Sequence, residues 1–233
     1  MAIIEFRNVS KKYLMGEVTI NALHDASFTI NKGELVCILG PSGAGKTTCL
    51  NILGGMDSPT FGDVIVDGVN ISSLKGKNII KYRRKDIGFV FQFYNLVSNL
   101  TAIENVELAV QLTKDHLEPK EALKLVGLEN RLNNFPSQLS GGEQQRVAVA
   151  RAIAKHPKVL LCDEPTGALD YKTGKQILAL LQDCARKSNM TVVIVTHNSA
   201  IKDMADKVIH FKNGTVTKIE INKNSTPIEM IEW

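Results

Sequence analysis

The stretch Glu34-Leu35-Val36-Cys37-Ile38-Leu39-Gly40-Pro41-Ser42-Gly43-Ala44-Gly45-Lys46-Thr47 decides the fold. Its first part is a continuous apolar run, which is typical of a strand buried on both faces of a parallel sheet. Its second part fits the pattern GxxxxGK(S/T) and follows that run directly. In this context the pattern predicts a loop whose backbone N–H groups surround a phosphate at the start of a helix.

Lys46 and Thr47 supply the side chains that such a loop needs. A lysine at this position reaches the β- and γ-phosphates of a nucleotide, and the hydroxyl beside it can bind Mg²⁺. An incidental glycine-rich turn is the alternative, and the strand-loop-helix context argues against it. The expected nucleotide-binding residues of this segment are Gly40, Pro41, Ser42, Gly43, Ala44, Gly45, Lys46, Thr47 and Thr48.

Composition excludes several other classes of protein. The chain has 233 residues, 44% of them hydrophobic and 22% charged, which are globular values. Its 28 basic and 24 acidic residues give a net charge of +4, so charge does not indicate a nucleic-acid partner. No apolar run approaches the roughly 20 residues of a membrane helix, and the first residues lack a signal-peptide pattern. We therefore expect a protein that remains in the cytoplasm.

Two further buried strands are predicted at Val159 to Cys162 and Thr191 to Thr196, each after a helical pattern, which indicates a parallel α/β core. Such sheets bind ligands at the carboxyl ends of their strands. Asp163 follows the first strand and is predicted to bind Mg²⁺, directly or through water. Glu164 can polarise a water that attacks the γ-phosphate. His197 follows the second strand and is a catalytic candidate, although a lone histidine there is usually structural.

The rest of the chain differs from this core. Strand patterns at Ile3 to Val9, Thr19 to Ile30 and Asp63 to Ile71 predict an antiparallel sheet. A capping box at Thr101 to Glu104 predicts a helix through Leu112, and Pro119 begins another that stops near Gly127. The chain is thus interpreted as a single domain, 1–233. Its core comprises 1–94 and 141–221, its helical insertion 95–140, and its apparently separate tail 222–233.

Leu139 to Arg146 indicates a second anion site. Ser140 is predicted to cap a helix that continues to about Lys155, so that exposed N–H groups lie at its start. An ordinary serine cap before a core helix is the simpler interpretation. Because the chain already has one phosphate loop, we expect the second site to serve the nucleotide of another copy. The residues assigned to it are Ser140, Gly141, Gly142 and Glu143.

In this order, Gly40 to Thr47, Leu139 to Arg146 and Val159 to Glu164 resemble the ATPase subunits of ABC transporters, over nearly the whole chain. The resemblance implies an α/β, P-loop NTPase (RecA-like) core with an N-terminal antiparallel β lobe and a helical signature subdomain. It implies ATP hydrolysis with ATP and Mg²⁺, catalysed with Lys46 and Glu164. Two chains, expected to be identical, would enclose two ATP molecules between them.

The resemblance also assigns individual residues. Tyr13 corresponds to the aromatic that stacks on adenine, and Gln92 to the glutamine that senses the metal and the attacking water. Asp170 corresponds to the residue at the dimer seam, and His197 to the switch histidine at the γ-phosphate. The family often has Gln where Glu143 stands and Ser where Gly167 stands. These departures bear on the subfamily more than on activity.

Four segments are similar to the MacB/LolD/FtsE branch of that family: Tyr13 to Glu17, Gly88 to Gln92, Leu100 to Val106 and Asp163 to Asp170. The branch implies a MacB/FtsX-type permease, an adaptor protein reached through it, and attachment to the inner face of the cell membrane. It implies export or extraction of antimicrobial compounds, peptides or lipoproteins. The tail Pro227 to Trp233 adds a likeness to stand-alone ATPases of MacB-like antimicrobial exporters, which implies a role in antibiotic resistance.

Several alternatives stay open at this point. A non-transport ABC ATPase acting on nucleic acid or translation is the main one, and a small-molecule kinase is another. The alternating Phe89, Phe91, Phe93 and Tyr94 fit either a groove for a permease helix or one buried strand face. Arg83 and Arg84 fit a solvated helix end better than contacts with a permease or with lipid headgroups.

Overall fold

The computed structural model describes residues 2–111 and 113–232. The strands in these ranges are β1 (Ala2–Met15), β2 (Val18–Asn31), β3 (Leu35–Leu39), β4 (Phe61–Val66), β5 (Val69–Asn70), β6 (Ile87–Val90), β7 (Val159–Asp163), β8 (Thr191–Thr196), β9 (Lys207–Lys212) and β10 (Thr215–Ile221). The helices are α1 (Lys46–Leu53), α2 (Lys77–Lys85), α3 (Ala102–Val110), α4 (Pro119–Leu125), α5 (Gly141–Ile153) and α6 (Tyr171–Ser188).

The central sheet has the strand order β10-β9-β3-β8-β7-β6. Its strands are parallel except for β10, which is antiparallel to β9. Every residue of β3 and β8 is buried, because hydrophobic clusters cover both faces of the sheet. This confirms the parallel core predicted from the continuous apolar runs.

The predicted antiparallel lobe is a second sheet with the order β2-β1-β4-β5. β1 and β2 form a long hairpin, in which Tyr13 lies opposite Ile20. The segment from Asp63 to Ile71 forms the β4–β5 hairpin. Its turn is made by Asp67 and Gly68, which adopt φ values of 48° and 77°. Gly and Asp tolerate this left-handed region, which such tight hairpin turns require.

In the helical segment, α3 and α4 begin at the predicted residues. Thr101 and Glu104 form the expected capping box of α3, and Pro119 is in the first turn of α4. α3 ends at Val110, two residues before the predicted Leu112, which lies outside the described residues. α5 begins after Ser140 and ends at Ile153, close to the predicted Lys155. None of the described helices is long and apolar enough to cross a membrane.

The tail is packed on the body over its described part, 222–232, which corrects the expectation of a separate segment. Ile228 is fully buried in the main hydrophobic cluster, and Ile231 is buried beside it. Gln182 of α6 donates to Thr226 O and accepts from Ile228 N, while Lys175 donates to Ile231 O at 2.9 Å. The final Trp233 lies outside the described residues.

Candidate functional site

The carboxyl ends of four neighbouring strands converge on one cavity. Because β3, β8, β7 and β6 are parallel and adjacent, the segments that follow them leave the sheet at the same edge. The cavity has a volume of about 670 Å³. It is lined by Ile20, Asn21, Ala22, Ser42, Gly43, Ala44, Gly45, Lys46, Thr47, Thr48, Gln92, Asp163, Glu164 and His197.

The loop after β3 is shaped to bind an anion. Gly45 is the N-cap of α1 with φ +95°, and no described side chain caps this helix. A side chain at Gly45 would meet the carbonyl oxygen of Ala22 at 2.4 Å, so only glycine fits this close approach. Uncapped N–H groups together with the positive end of the helix dipole favour a phosphate here.

Lys46 lies at the floor of this loop and is only 6% exposed. Its ammonium donates to the carbonyl oxygens of Gly40 at 2.8 Å and Pro41 at 2.9 Å. These neutral acceptors satisfy the charge only in part, since a phosphate oxygen forms a stronger, charge-assisted hydrogen bond with an ammonium. The lysine is therefore held in place for an anion in the cavity.

Thr47 and Asp163 form a pair of oxygen ligands. The Thr47 hydroxyl donates to Asp163 Oδ1 at 3.3 Å, which joins the start of α1 to the end of β7. Burial and the neighbouring Glu164 charge raise the pKa of Asp163, against the lowering effect of Thr47 and Lys46. A bound cation would reverse this burial cost, because a positive charge favours the ionised carboxylate.

Glu164 and His197 are in direct contact. His197 Nδ1 lies 2.9 Å from Glu164 Oε1 and 2.8 Å from Oε2. Glu164 adopts φ +47°, a left-handed conformation that is uncommon for a residue with a side chain, and its N–H donates to Val195 O of β8. Strain of this kind persists where the surrounding structure fixes it, often at functional sites.

Gln92 and Tyr13 have different relations to the cavity. Gln92 lines it directly, and its amide lies beside Gly167, where an added side chain would meet Gln92 Nε2 at 2.9 Å. Tyr13 does not line it. The Tyr13 hydroxyl donates to Asp57 Oδ2 at 2.6 Å. The pKa of Tyr13 is raised mainly by partial burial and also by this hydrogen bond. The stacking role of Tyr13 stays a prediction.

The predicted second anion site lies outside this cavity. Ser140 is exposed and caps α5, while Glu143 accepts hydrogen bonds from the Ser140 N–H and hydroxyl at 2.8 and 2.9 Å. Asp170 caps α6 by accepting from Thr173 N at 3.1 Å. A side chain at Gly142 would meet the Thr173 methyl at 2.2 Å, so the starts of the two helices are in contact.

The model of the ABC transporter family matches residues 23–167, which include the phosphate loop, the Ser140 helix and the Asp163-Glu164 pair. The chain belongs to the ABC transporter family. It is an ATP-binding cassette of that family, which confirms the predicted fold class and the ATPase class. The more specific assignment to the MacB/LolD/FtsE branch is a separate question.

Several ABC transporter proteins are similar to this chain. An uncharacterised ATP-binding protein of Methanocaldococcus jannaschii is 46% identical over 93% of this chain and 96% of its own. The dimeric structure of that cassette in a post-hydrolysis state, bound to ADP and Pi, matches with a TM-score of 0.87 and covers 95% of this chain and 99% of that one.

Two relatives have more specific names. The lipoprotein-releasing system ATP-binding protein LolD of Syntrophotalea carbinolica is 43% identical over 93% of this chain and 97% of its own. The macrolide export ATP-binding/permease protein MacB of Pectobacterium atrosepticum is 43% identical over 92% of this chain. The cassette spans 34% of that MacB, which is a longer protein.

Sequence reasoning missed two groups of residues in this cassette. Ile20, Asn21 and Ala22 of β2 line the cavity, and nothing in the strand pattern from Thr19 to Ile30 marks them as residues of the site. Gln145 was also missed, although it is fully buried and contacts the segments on both sides of the site. A polar residue in a helical pattern gives no sign of such burial.

Proposed function

We propose that this cassette hydrolyses ATP in the cavity at the carboxyl edge of the central sheet and drives a separate membrane permease. One observation carries the proposal. Lys46, Thr47, Gln92, Asp163, Glu164 and His197 come from four strand ends and line the same cavity. A phosphate-binding loop, an oxygen pair for a cation and a carboxylate–imidazole pair are the parts that phosphoryl transfer to water requires.

Each side chain then has a role in that reaction. Lys46 and the N–H groups at the start of α1 bind the β- and γ-phosphates. Glu164 orients the attacking water and accepts its proton, and His197, in contact with Glu164, binds the γ-phosphate. Gln92 responds to the γ-phosphate from the end of β6. Since the transition state spreads charge over the phosphoryl oxygens, positioning and electrostatics supply most of the catalysis.

The residues present fit a Mg²⁺ ion. The Thr47 hydroxyl and the Asp163 carboxylate are hard oxygen ligands 3.3 Å apart, and Gln92 adds an amide oxygen. Mg²⁺ keeps several waters and binds through one or two protein ligands plus phosphates. Thr47 and Asp163 would hold the ion, and its charge would offset the negative charge of the phosphates.

Completion of the site requires a second copy of the chain. Ser140 and Asp170 do not line the cavity of their own chain, although Ser140 is exposed at the start of a helix. The similar cassette whose structure is dimeric in complex with ADP and Pi supports the same arrangement here. In it, Ser140, Gly141, Gly142 and Glu143 of one chain would bind the nucleotide held by Lys46 of the other.

The partner we propose is a permease of the MacB/FtsX type. The relatives named LolD and MacB, each 43% identical, support this branch, and the longer MacB joins a cassette to a permease in one chain. Phe93 is 72% exposed directly after Gln92, so it can contact a permease helix and report ATP binding to it. Phe89 and Phe91 stack on each other and do not share this exposure.

The Glu164→Gln variant tests the hydrolytic role. We expect it to bind ATP normally but to turn over at least about 100-fold more slowly, since a general base contributes this much or more. An ATP-dependent dimer should then accumulate in gel filtration. Glu129→Gln, a carboxylate of the helical segment, is the matched control. A Glu164→Gln protein with the wild-type hydrolysis rate would exclude Glu164 as the catalytic base.

The Phe93→Ser variant tests the partner. It should keep ATPase activity in isolation but bind a MacB/FtsX-type permease about tenfold more weakly, because exposed aromatics often dominate such interfaces. Co-purification with the permease in detergent is the measurement, and Phe61→Ser, which changes another exposed phenylalanine, is the control. Full retention of the permease by Phe93→Ser would show that Phe93 does not contribute to permease binding.

A further inference from the structure

Gln145 of α5 binds the backbone next to two residues of the proposed reaction. Its amide Nε2 donates to the carbonyl oxygen of Phe91 at 3.3 Å and to that of Pro165 at 2.9 Å. Phe91 immediately precedes Gln92, and Pro165 immediately follows Glu164. One buried amide therefore joins the segment that carries the proposed γ-phosphate sensor to the segment that carries the proposed base.

The buried position of Gln145 indicates that the two hydrogen bonds donated by its side-chain amide are important. The residue is fully buried, and its Oε1 has no hydrogen-bond partner in the described chain. A buried oxygen without a hydrogen-bond partner is unfavourable. An apolar residue of the same length would avoid that cost, so the position favours glutamine through the two bonds that its amide donates.

Arg151 holds the other side of the same segment. Its guanidinium donates from Nη1 to Asn95 O at 2.6 Å and from Nη2 to Tyr94 O at 3.0 Å, and burial lowers its pKa. The planar fork of arginine suits two adjacent carbonyls, whereas an ammonium is a point donor. Together, Gln145 and Arg151 bind the backbone before and after Gln92.

Strand β6, which precedes Gln92, packs against α5. A side chain at Gly88 of β6 would meet the Ala152 carbonyl at 2.8 Å, which shows how closely the two elements approach. Lys155, in the turn after α5, donates to Arg83 O at the end of α2 at 2.9 Å. The segment from α2 to Asn95 is thus fixed to α5 at several points, and α5 begins with Ser140.

We propose that Gln145 and Arg151 are positioning residues that fix the Gln92 and Glu164 segments to α5. This inference rests on the proposed roles of Gln92, Glu164 and Ser140. As a consequence, the single helix α5 fixes the positions of Gln92 and Glu164 in its own chain. The same helix carries Ser140, which would bind the nucleotide of the other chain. Movement of Gln92 toward a γ-phosphate then moves the Ser140 end in the same chain.

The Gln145→Met variant is the main test, because methionine has a similar length and no donor. We expect kcat at saturating MgATP to fall about tenfold while KM changes less than about twofold, since a small misplacement of catalytic groups lowers kcat strongly. Gln182→Met is the matched control. That glutamine also bridges backbone groups, on Met204, Thr226 and Ile228, far from the cavity, so its loss should spare kcat.

A double-mutant cycle with Gln92→Ala distinguishes an effect of Gln145 on the position of Gln92 from a general loss of stability. Because Gln145 contacts both segments, Gln145→Met should slow the Gln92→Ala variant less than it slows the wild type, but should still slow it through Glu164. Multiplied effects, or a folded Gln145→Met protein with wild-type kcat, would overturn the inference. Wild-type turnover by Gln92→Ala with impaired Gln145→Met would also overturn the inference, because Gln145 would then not act through Gln92. Wild-type turnover by Glu164→Gln would instead refute the proposed function.

The Arg151→Lys variant provides a second test of the positioning role, which can be used if Gln145→Met does not fold. Lysine retains the positive charge but cannot bind both carbonyls in a fork. We expect a lower kcat together with faster amide hydrogen exchange at residues 92–96, and unchanged exchange at α6. Exchange and kcat that both match the wild type would contradict a positioning role for Arg151.

Discussion

The starts of α1 and α5 are the two anion sites that we propose, and within residues 2–111 and 113–232 only the start of α5 has a side-chain cap. α1 begins at Gly45 with no side-chain cap among the described residues, so its first N–H groups are available to a phosphate. α5 begins at Ser140 with a complete capping box, in which Glu143 accepts two hydrogen bonds from Ser140 and pairs with Arg131 at 3.0 Å.

This difference separates the two steps of the proposed cycle. The α1 site is prepared within one chain, so nucleotide can bind before any second chain arrives. At the start of α5 the carboxylate of Glu143 accepts hydrogen bonds from the N–H and hydroxyl of Ser140, so a phosphate at Ser140 has to compete with Glu143. We therefore expect this site to bind only a nucleotide that a second chain holds in place, which would make dimerisation dependent on ATP.

The largest expected effect is at the α1 start. Lys46→Met should weaken ATP binding by a single chain about 100-fold, since it removes charge-assisted hydrogen bonds to phosphate. Binding of a fluorescent ATP analogue is the measurement. Lys158→Met, which removes a lysine paired with Asp67 and Asp86 away from the cavity, should retain affinity. Equal affinities of the two variants would contradict a prepared site at α1.

A change at the α5 start should have a smaller and different effect. Ser140→Arg should leave ATP binding by the single chain intact but lower turnover at least about tenfold, because a bulky side chain obstructs the second chain's nucleotide. Gel filtration with ATP should show no dimer, whereas Ser188→Arg at the end of α6 should behave as wild type. Normal ATPase activity of Ser140→Arg would refute the shared site.

The smallest effect concerns the capping box itself. Hydrogen bonds from Ser140, together with Arg131, hold the pKa of Glu143 below its ordinary value of 4.5. Its charged form therefore stabilises the fold above that pH, and the contribution disappears as the pH falls through the lower, folded-state pKa. Glu143→Gln should cost about 0.5–1 kcal/mol at neutral pH.

Urea unfolding of Glu143→Gln and wild type at pH 7 and at an acidic pH below the folded-state pKa of Glu143 measures this contribution. The difference between their free energies of unfolding should vanish at the acidic end. Glu107→Gln on α3, whose carboxylate belongs to no capping box, controls for a general charge effect. A difference that persists unchanged in acid would show that the carboxylate charge does not stabilise the start of α5.

Sequence reasoning predicted the parts of the cassette that depend on local patterns. Buried parallel strands have continuous apolar runs, so the strands before Gly40, Asp163 and His197 could be located and their common edge inferred. It could not predict the packing of the tail. Ile228 and Ile231 lie in a short segment with no helix or strand periodicity, and the groups that bind their backbone lie on α6, far away in the sequence.

The same limit applies to parts of the site. The roles assigned to Tyr13 and Asp170 came from family resemblance, because no spacing rule relates them to the phosphate loop. The hydroxyl of Tyr13 binds Asp57, which only the folded lobe brings close. Gln145 looked like any polar helical residue, since burial of a polar side chain depends on what packs over it. Long-range contacts of this kind leave no periodic signal.

The contact between Gly142 and Thr173 has a geometric consequence for assembly. Asp170 is fixed to Thr173 by its cap, and the Thr173 methyl lies where any side chain at position 142 would stand. The starts of α5 and α6 therefore approach each other closely beside Gly142. Even one methyl group added at position 142 would push Thr173 away, and would change the spacing of Ser140 and Asp170, the two residues that we propose to face a second chain.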